Sequence, residues 1–239
     1  PTTQTLSTIK LALTGGPSGG KTTLANTLAR EFSHQVVIVP EAASLIFAGG
    51  FPRKSGTHHV EARQRAIYFV QRELEHVLIK DNPNRLLVCD RGSLDGAAYW
   101  PHAEPDFLSS VSSDLETEVG RYDWVIHLDT APKSYYDTTN PLRVEGFEEA
   151  WALNEKVKDA WSTHPQRLII NNKGHFLDKL HRALFAVQEI IAGVPYAAIQ
   201  NRLTQMQSSS LDKSLEDSIE ILTVLSSHAS PDQLSGPEL

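Results

Sequence analysis

Residues 11–25 read LALTGGPSGGKTTLA. An apolar run ends at Thr14. Gly15, Gly16, Pro17, Ser18, Gly19 and Gly20 follow, and Lys21, Thr22 and Thr23 then open a helical pattern. The spacing satisfies G-x-x-x-x-G-K-[ST] in the strand–loop–helix setting that gives the pattern its meaning. Glycines let such a loop wrap with its backbone N–H groups pointing inward, and the helix N-terminus adds partial positive charge. Lys21 is then placed to reach the β- and γ-phosphates, and the Thr22 hydroxyl to ligate Mg²⁺. A glycine-rich turn preceding a lysine by chance would need neither the strand nor the helix. The expectation is a nucleoside triphosphate held by residues 15–23.

Outward from this stretch, short apolar runs alternate with helical patterns. IKLAL (9–13), VVIV (36–39), RLLVC (85–89), WVIHL (124–128) and RLIIN (167–171) are apolar at successive positions. That is how strands buried on both faces read. Between them lie TTLANTLAREF (22–32), VEARQRAIYFVQRELEHVLIK (60–80) and the stretch from Phe107 to Val119. In the second, Ile67, Val70, Leu74, Val77 and Leu78 recur at helical spacing, so one face packs inward. Strands alternating with helices predict right-handed βαβ units and a parallel sheet, an α/β fold.

The third run ends in charge: RLLVCDRGSLDGAAYW (85–100). Ligands of open parallel sheets bind at the carboxyl ends of the strands, where Asp90 stands. An acid there can hold the Mg²⁺ shell. Arg91 beside it suits an anionic substrate group or a transferring phosphoryl; the competing reading is a salt bridge closing the strand. Tyr99 and Trp100 fit the core and a substrate ring equally well. On the second run, VVIVPEAA puts Glu41 just past a strand end. Glu41 could orient a hydroxyl and accept its proton, or complement the dipole of the helix it opens; spacing alone does not separate the two. After WVIHLD comes a stretch with Lys133 and Arg143 among acids, which fits a lid bringing in a cation from outside the loop; Arg143 is its candidate residue. The competing reading is a solvated, charge-paired helix. His58-His59 reads as a helix entry, since no third ligand is near in sequence.

The whole chain sets bounds. With 239 residues, 40% hydrophobic and 21% charged, it is long enough for one large domain or a domain and an appendage. A net charge of −7 without a basic block argues against nucleic acid as the partner. A single cysteine, Cys89, excludes an internal disulfide. No apolar stretch approaches ~20 residues, and PTTQTLSTIK lacks signal-peptide order, so a cytoplasmic protein without a membrane span is expected. After Pro195 the character changes. Residues 196–239 hold two basic and six acidic side chains and read as short helices ending in a polar tail. The division expected is 1–195, the catalytic-type domain, and 196–239, a helical extension packed on its edge or offered to a protein partner.

With these residues in hand, the chain resembles P-loop kinases of the nucleotide and nucleoside kinase group. More narrowly, it resembles the AAA-type family that includes the nicotinamide-riboside kinase domain of bacterial NAD regulators and an insect photoreceptor-trafficking GTP-binding protein. The resemblance covers roughly 8–193, through TGGPSGGKTT, VPEAAS, QRAIYFVQRELE, CDRGSLDGAAYW, VIHLD and NPLRVEGFEEAWALNEKVKDAW. It implies a five-stranded parallel sheet in order 2-3-1-4-5 with a lid after strand four. In related deoxynucleoside kinases an acid after strand two is the base and an acid–arginine pair follows strand three. Glu41 and Asp90-Arg91 match those places. Asn171-Asn172-Lys173-Gly174 lacks the aspartate of the guanine signature, which favours ATP with GTP as the alternative. The function implied is transfer of the γ-phosphoryl of ATP, with Mg²⁺, to a small nucleoside- or nucleotide-like acceptor. The alternative is a nucleotide-dependent regulatory or trafficking switch without an acceptor.

Overall fold

The computed structural model describes residues 8–102, 104–133 and 146–208. Five strands, β1 (Lys10–Thr14), β2 (Val36–Val39), β3 (Leu86–Asp90), β4 (Trp124–Leu128) and β5 (Arg167–Ile170), form one sheet in the order β2-β3-β1-β4-β5, every pair parallel. The expected α/β architecture and strand order are both present. The helices are α1 (Lys21–Glu31), α2 (Ala42–Ala48), α3 (Thr57–Asp81), α4 (Asp95–Tyr99), α5 (Glu104–Ser110), α6 (Leu115–Val119), α7 (Phe147–Ala160), α8 (Phe176–Ile191) and α9 (196–208).

Both faces of the sheet are covered, which is why its strands are apolar at successive positions, with most of their polar residues at the strand ends. Leu11 and Leu13 of β1 face α1, α8 and α9, in a cluster with Leu24, Leu28, Ala183 and Val187. Ala12, between them, faces the opposite layer with Tyr68 of α3, Phe107 of α5 and Val157 and Trp161 of α7 and its end. Trp161 is fully buried. The α9 helix adds Ile199 and Leu203 to the first cluster, 0% and 4% exposed. Among the described residues no helix is long and apolar enough to cross a membrane.

The register aligns the strand ends. Leu13 lies opposite Asp90, and Thr14 opposite His127. The residues leaving β1, β3 and β4 therefore emerge side by side on one edge. The helix expected over 107–119 is two helices, α5 and α6. Ser112 turns the chain with φ 56, and Asp114 then caps α6 by accepting from the Thr117 amide at 2.8 Å.

Candidate active site

The loop between β1 and α1 is pressed against the end of β4. Gly15 has φ 127, and a Cβ there would stand 2.0 Å from the Leu128 carbonyl oxygen. A Cβ on Gly16 would meet the Thr130 hydroxyl oxygen at 2.1 Å. No residue with a side chain fits either place. The Gly16 amide donates to Asn154 Oδ1 at 3.1 Å, so the loop is fastened to α7 as well. Lys21 opens α1, and its ammonium donates to the Gly15 and Gly16 carbonyls at 2.9 and 2.7 Å. Burial, and then the nearby Arg91 guanidinium, pull the Lys21 pKa down to about 7 against Asp90, Asp95 and Glu41. Thr22 and Thr23 are exposed at the helix start. The Ser18 hydroxyl is buried with no hydrogen-bond partner among the described residues. An orphaned donor, a cation and uncapped helix amides around one loop are what phosphate oxygens would satisfy.

Asp90 is the last residue of β3, 8% exposed, and its carboxylate bonds to none of the described residues. Burial raises its pKa against the pull of Lys21. An acid with no hydrogen-bond partner among the described residues, beside a phosphate loop and with the Thr22 hydroxyl in the first turn of α1, is a donor set that fits Mg²⁺. Arg91 takes φ 82, a left-handed backbone rare for such a residue. That turn brings its guanidinium over the loop. Nε donates to Glu41 Oε1 at 2.8 Å, while Nη1 donates to Asp95 Oδ2 and the Gly15 carbonyl, each at 3.4 Å. Gln71 of α3 holds the Arg91 carbonyl at 3.2 Å.

Glu41 stands at the N-cap position of α2, but its side chain makes no cap hydrogen bond. It turns to Arg91, and Ser44 donates to its other oxygen. Burial pushes its pKa up, yet Arg91 and Ser44 together hold it below the usual carboxylate value, so it is ionised at neutral pH. Tyr99 lies in the wall with the Arg91 guanidinium 5.8 Å from its ring centre, whereas Trp100 belongs to the core. Glu41, Asp90, Arg91 and Lys21 thus converge. Arg143 lies outside the described residues, as does most of 196–239. Lys133 is exposed, 3.5 Å from Glu148. His58 and His59 sit in the first turn of α3, ring centres 4.1 Å apart.

Two residues of this network escaped the sequence reading. Asp95, 3% exposed, accepts from Thr14 Oγ1 at 2.7 Å and Trp161 Nε1 at 2.8 Å while facing Arg91. Asn154, fully buried, accepts from the Gly16 and Thr130 amides and donates to Asp129. A signal existed for Asn154. It interrupts the stripe Ala150, Val157, Ala160 that α7 buries. Asp129 follows β4; burial pushes its pKa up, but His127, Lys158 and Asn154 hold it well below the carboxylate range.

Lys21, Glu41, Asp90, Arg91, Asp95 and Tyr99 line one cleft of about 1440 Å³ running from the phosphate loop past Glu41 and Arg91 to the start of α3. Beyond β5, Asn172 and Lys179 form its other end, and Lys179 Nζ donates to Asn172 Oδ1 at 2.9 Å. Asn171 Oδ1 is taken by Arg182 at 3.0 Å.

A family model described as an AAA domain matches residues 10–179. Among solved structures, NadR protein in complex with NAD and AMP-PNP is similar with a TM-score of 0.55 and 16% identity, over 79% of this chain and 50% of that one. The chain thus spans about half the length of NadR protein. Thymidylate kinase from Ehrlichia chaffeensis is similar with a TM-score of 0.53 and 16% identity, over 76% of this chain and 99% of that one. At such identity these likenesses show the fold. No curated protein matches the chain.

Proposed function

Because the chain belongs to the AAA domain family and shares the fold of NadR protein and thymidylate kinase, we propose that it transfers the γ-phosphoryl of ATP to a hydroxyl of a small nucleoside- or nucleotide-like acceptor. The observation that carries this reading is Arg91. One guanidinium touches the phosphate loop through Gly15 O and the acid Glu41 through Nε. A cation in that place joins the two halves of a phosphoryl transfer. The cleft supports it, since about 1440 Å³ exceeds the ~300–1,000 Å³ of a single-ligand pocket.

In the reaction, Lys21 and the loop amides hold the β- and γ-phosphates. Glu41, ionised, orients the acceptor hydroxyl and takes its proton as the oxygen bonds to the γ-phosphorus. The bond from that phosphorus to the β–γ bridging oxygen breaks, and ADP leaves with the electron pair. Arg91 balances charge on the transferring group. Thr22 and Asp90 would hold Mg²⁺, which when bound neutralises the phosphate oxygens. ATP is favoured over GTP because the loop after β5 offers no acid for guanine and commits its Asn171 oxygen to Arg182. Arg143 is proposed as a further cation for the transferring group.

The test is a screen of nucleosides and nucleotides with ATP and Mg²⁺, read by phosphorylated product. Arg91→Ala and Glu41→Gln should each lower acceptor phosphorylation by about 10²–10⁴-fold, with triphosphate affinity changed little. Triphosphate loss without any phosphorylated product would refute the kinase reading. It would leave the second one, a nucleotide-dependent switch, to which the Gly16–Asn154 bond between loop and α7 lends support.

A further inference from the structure

The acceptor side of the cleft carries a second set of cations that phosphoryl transfer does not use. Arg53, Lys54 and Arg63 line the wall beyond Glu41 and Arg91. Two helices measure how far beyond. Phe47 lies six residues past Glu41 along α2, ~9 Å at the helical rise, and the Arg53 guanidinium stacks 4.1 Å from its ring centre. On α3, Gln71 touches the Arg91 carbonyl, and Arg63 lies eight residues nearer the N-terminus, ~12 Å away. The Arg53–Phe47 stack and Arg63 line the same cleft, each roughly 10 Å along its helix from the residue that marks the Glu41–Arg91 pair.

These charges are not balanced locally. None of the three forms an ion pair among the described residues, and α3 has no acid in its first turn. The carboxylate nearest in sequence, Glu61, is taken by His102 at 3.0 Å and faces Arg65 at 4.0 Å. Elsewhere the chain pairs its cations closely: Lys10 and Arg121 both bond to Glu75, at 2.8 and 2.6 Å. Desolvation, and then His58, Lys54 and Arg63, press the His59 pKa downward, as a locally positive field does. The cleft's own acids lie elsewhere, with Glu41, Asp90 and Asp95 grouped around Arg91 and Glu149 on α7. A protein with a net charge of −7 therefore concentrates, in the wall of its cleft, three cations that have no ion pair among the described residues.

We propose that Arg53, Lys54 and Arg63 form a second anion subsite, and that the acceptor is a hydroxyl compound bearing a phosphate ester or carboxylate away from the reacting hydroxyl. This rests on the phosphoryl-transfer reading above. A guanidinium pair supplies planar, two-pronged donors to either anion, and Lys54 adds a mobile point charge. A neutral nucleoside would leave all three without a countercharge among the described residues.

Calorimetric titration of the full chain, saturated with AMP-PNP and Mg²⁺ so that the phosphate loop is filled, measures this directly with inorganic phosphate and malonate as probes. Saturable binding is expected, weakened at least ~10-fold in the Arg53→Gln/Arg63→Gln double variant, with AMP-PNP affinity unchanged. The tighter of the two probes distinguishes phosphate ester from carboxylate. No saturable binding of either probe, or equal binding by the double variant, overturns the subsite. Turnover separates this outcome from failure of the kinase reading. Nucleosides are offered against their 3′-monophosphates, and uridine against orotidine. Neutral members phosphorylated as well as their anionic counterparts would sink the subsite and leave the kinase standing. Phosphate bound at the cluster with no acceptor phosphorylated would sink the kinase reading, and the acceptor assignment with it.

Discussion

Lys21 holds an ammonium where charge is poorly solvated, 7% exposed and beside Arg91. Its pKa falls from 10.5 to about 7 in the folded chain. The unfolded chain therefore binds more protons between those values. Through this group, the stability of the free protein is lowest below pH 7 and rises toward pH 10.5. An arriving triphosphate reverses the field and restores the charged form. At pH 8, nucleotide binding should take up close to one proton, and at pH 6 almost none. Calorimetry in buffers of different ionisation enthalpy reads this, and Lys21→Met should abolish the uptake. At this scale the sequence was informative where chemistry is local. Residues 15–23 carry a spacing, and Asp90-Arg91 is an anomaly at a strand tip. Asp95 was illegible as a site residue, and Asn154 legible only as a polar break in an apolar stripe, because their partners, Trp161 and Gly16, are joined to them only by the fold.

Among the elements, α7 determines how firmly the phosphate loop is held. Asn154 offers one oxygen to the amides of Gly16 and Thr130 and to the His127 ring. Asn154→Ala would strand buried donors. It should lower stability by about 3 kcal/mol in chemical denaturation, and weaken triphosphate binding as the loop loosens. Unchanged affinity with lowered stability would show that the loop keeps its shape without α7. Strand positions were readable because double-sided burial removes polar residues. The split of 107–119 was not, since it depends on one left-handed residue, Ser112, and one cap, Asp114. Nor was α4, whose five residues are too few to show a helical period. Glu41 illustrates the same limit. Its helix-cap and site readings differ only in the direction of one side chain.

Across the whole molecule, α9 closes the layer formed by α1 and α8. Ile199 and Leu203 each bury nearly all their surface there, worth roughly 1.5–3 kcal/mol apiece. A chain ended after residue 195 should therefore be less stable by roughly 3–6 kcal/mol than one ended after 208, measured by urea denaturation. Equal stability would mean that the whole of 196–239 is a separable appendage. The cleft is also a property of the whole chain, since α1, α2, α3, β3 and the turn into α8 each supply part of its wall. It is one space from the phosphate loop to Arg53. A single compound joining adenosine to an acceptor mimic through a chain of phosphates could therefore occupy both halves together. Each half would present the other at millimolar effective concentration. Such a bridged inhibitor should bind roughly 10²–10⁴-fold more tightly than either half alone, and the bridge length that binds best would give the distance between the two substrates.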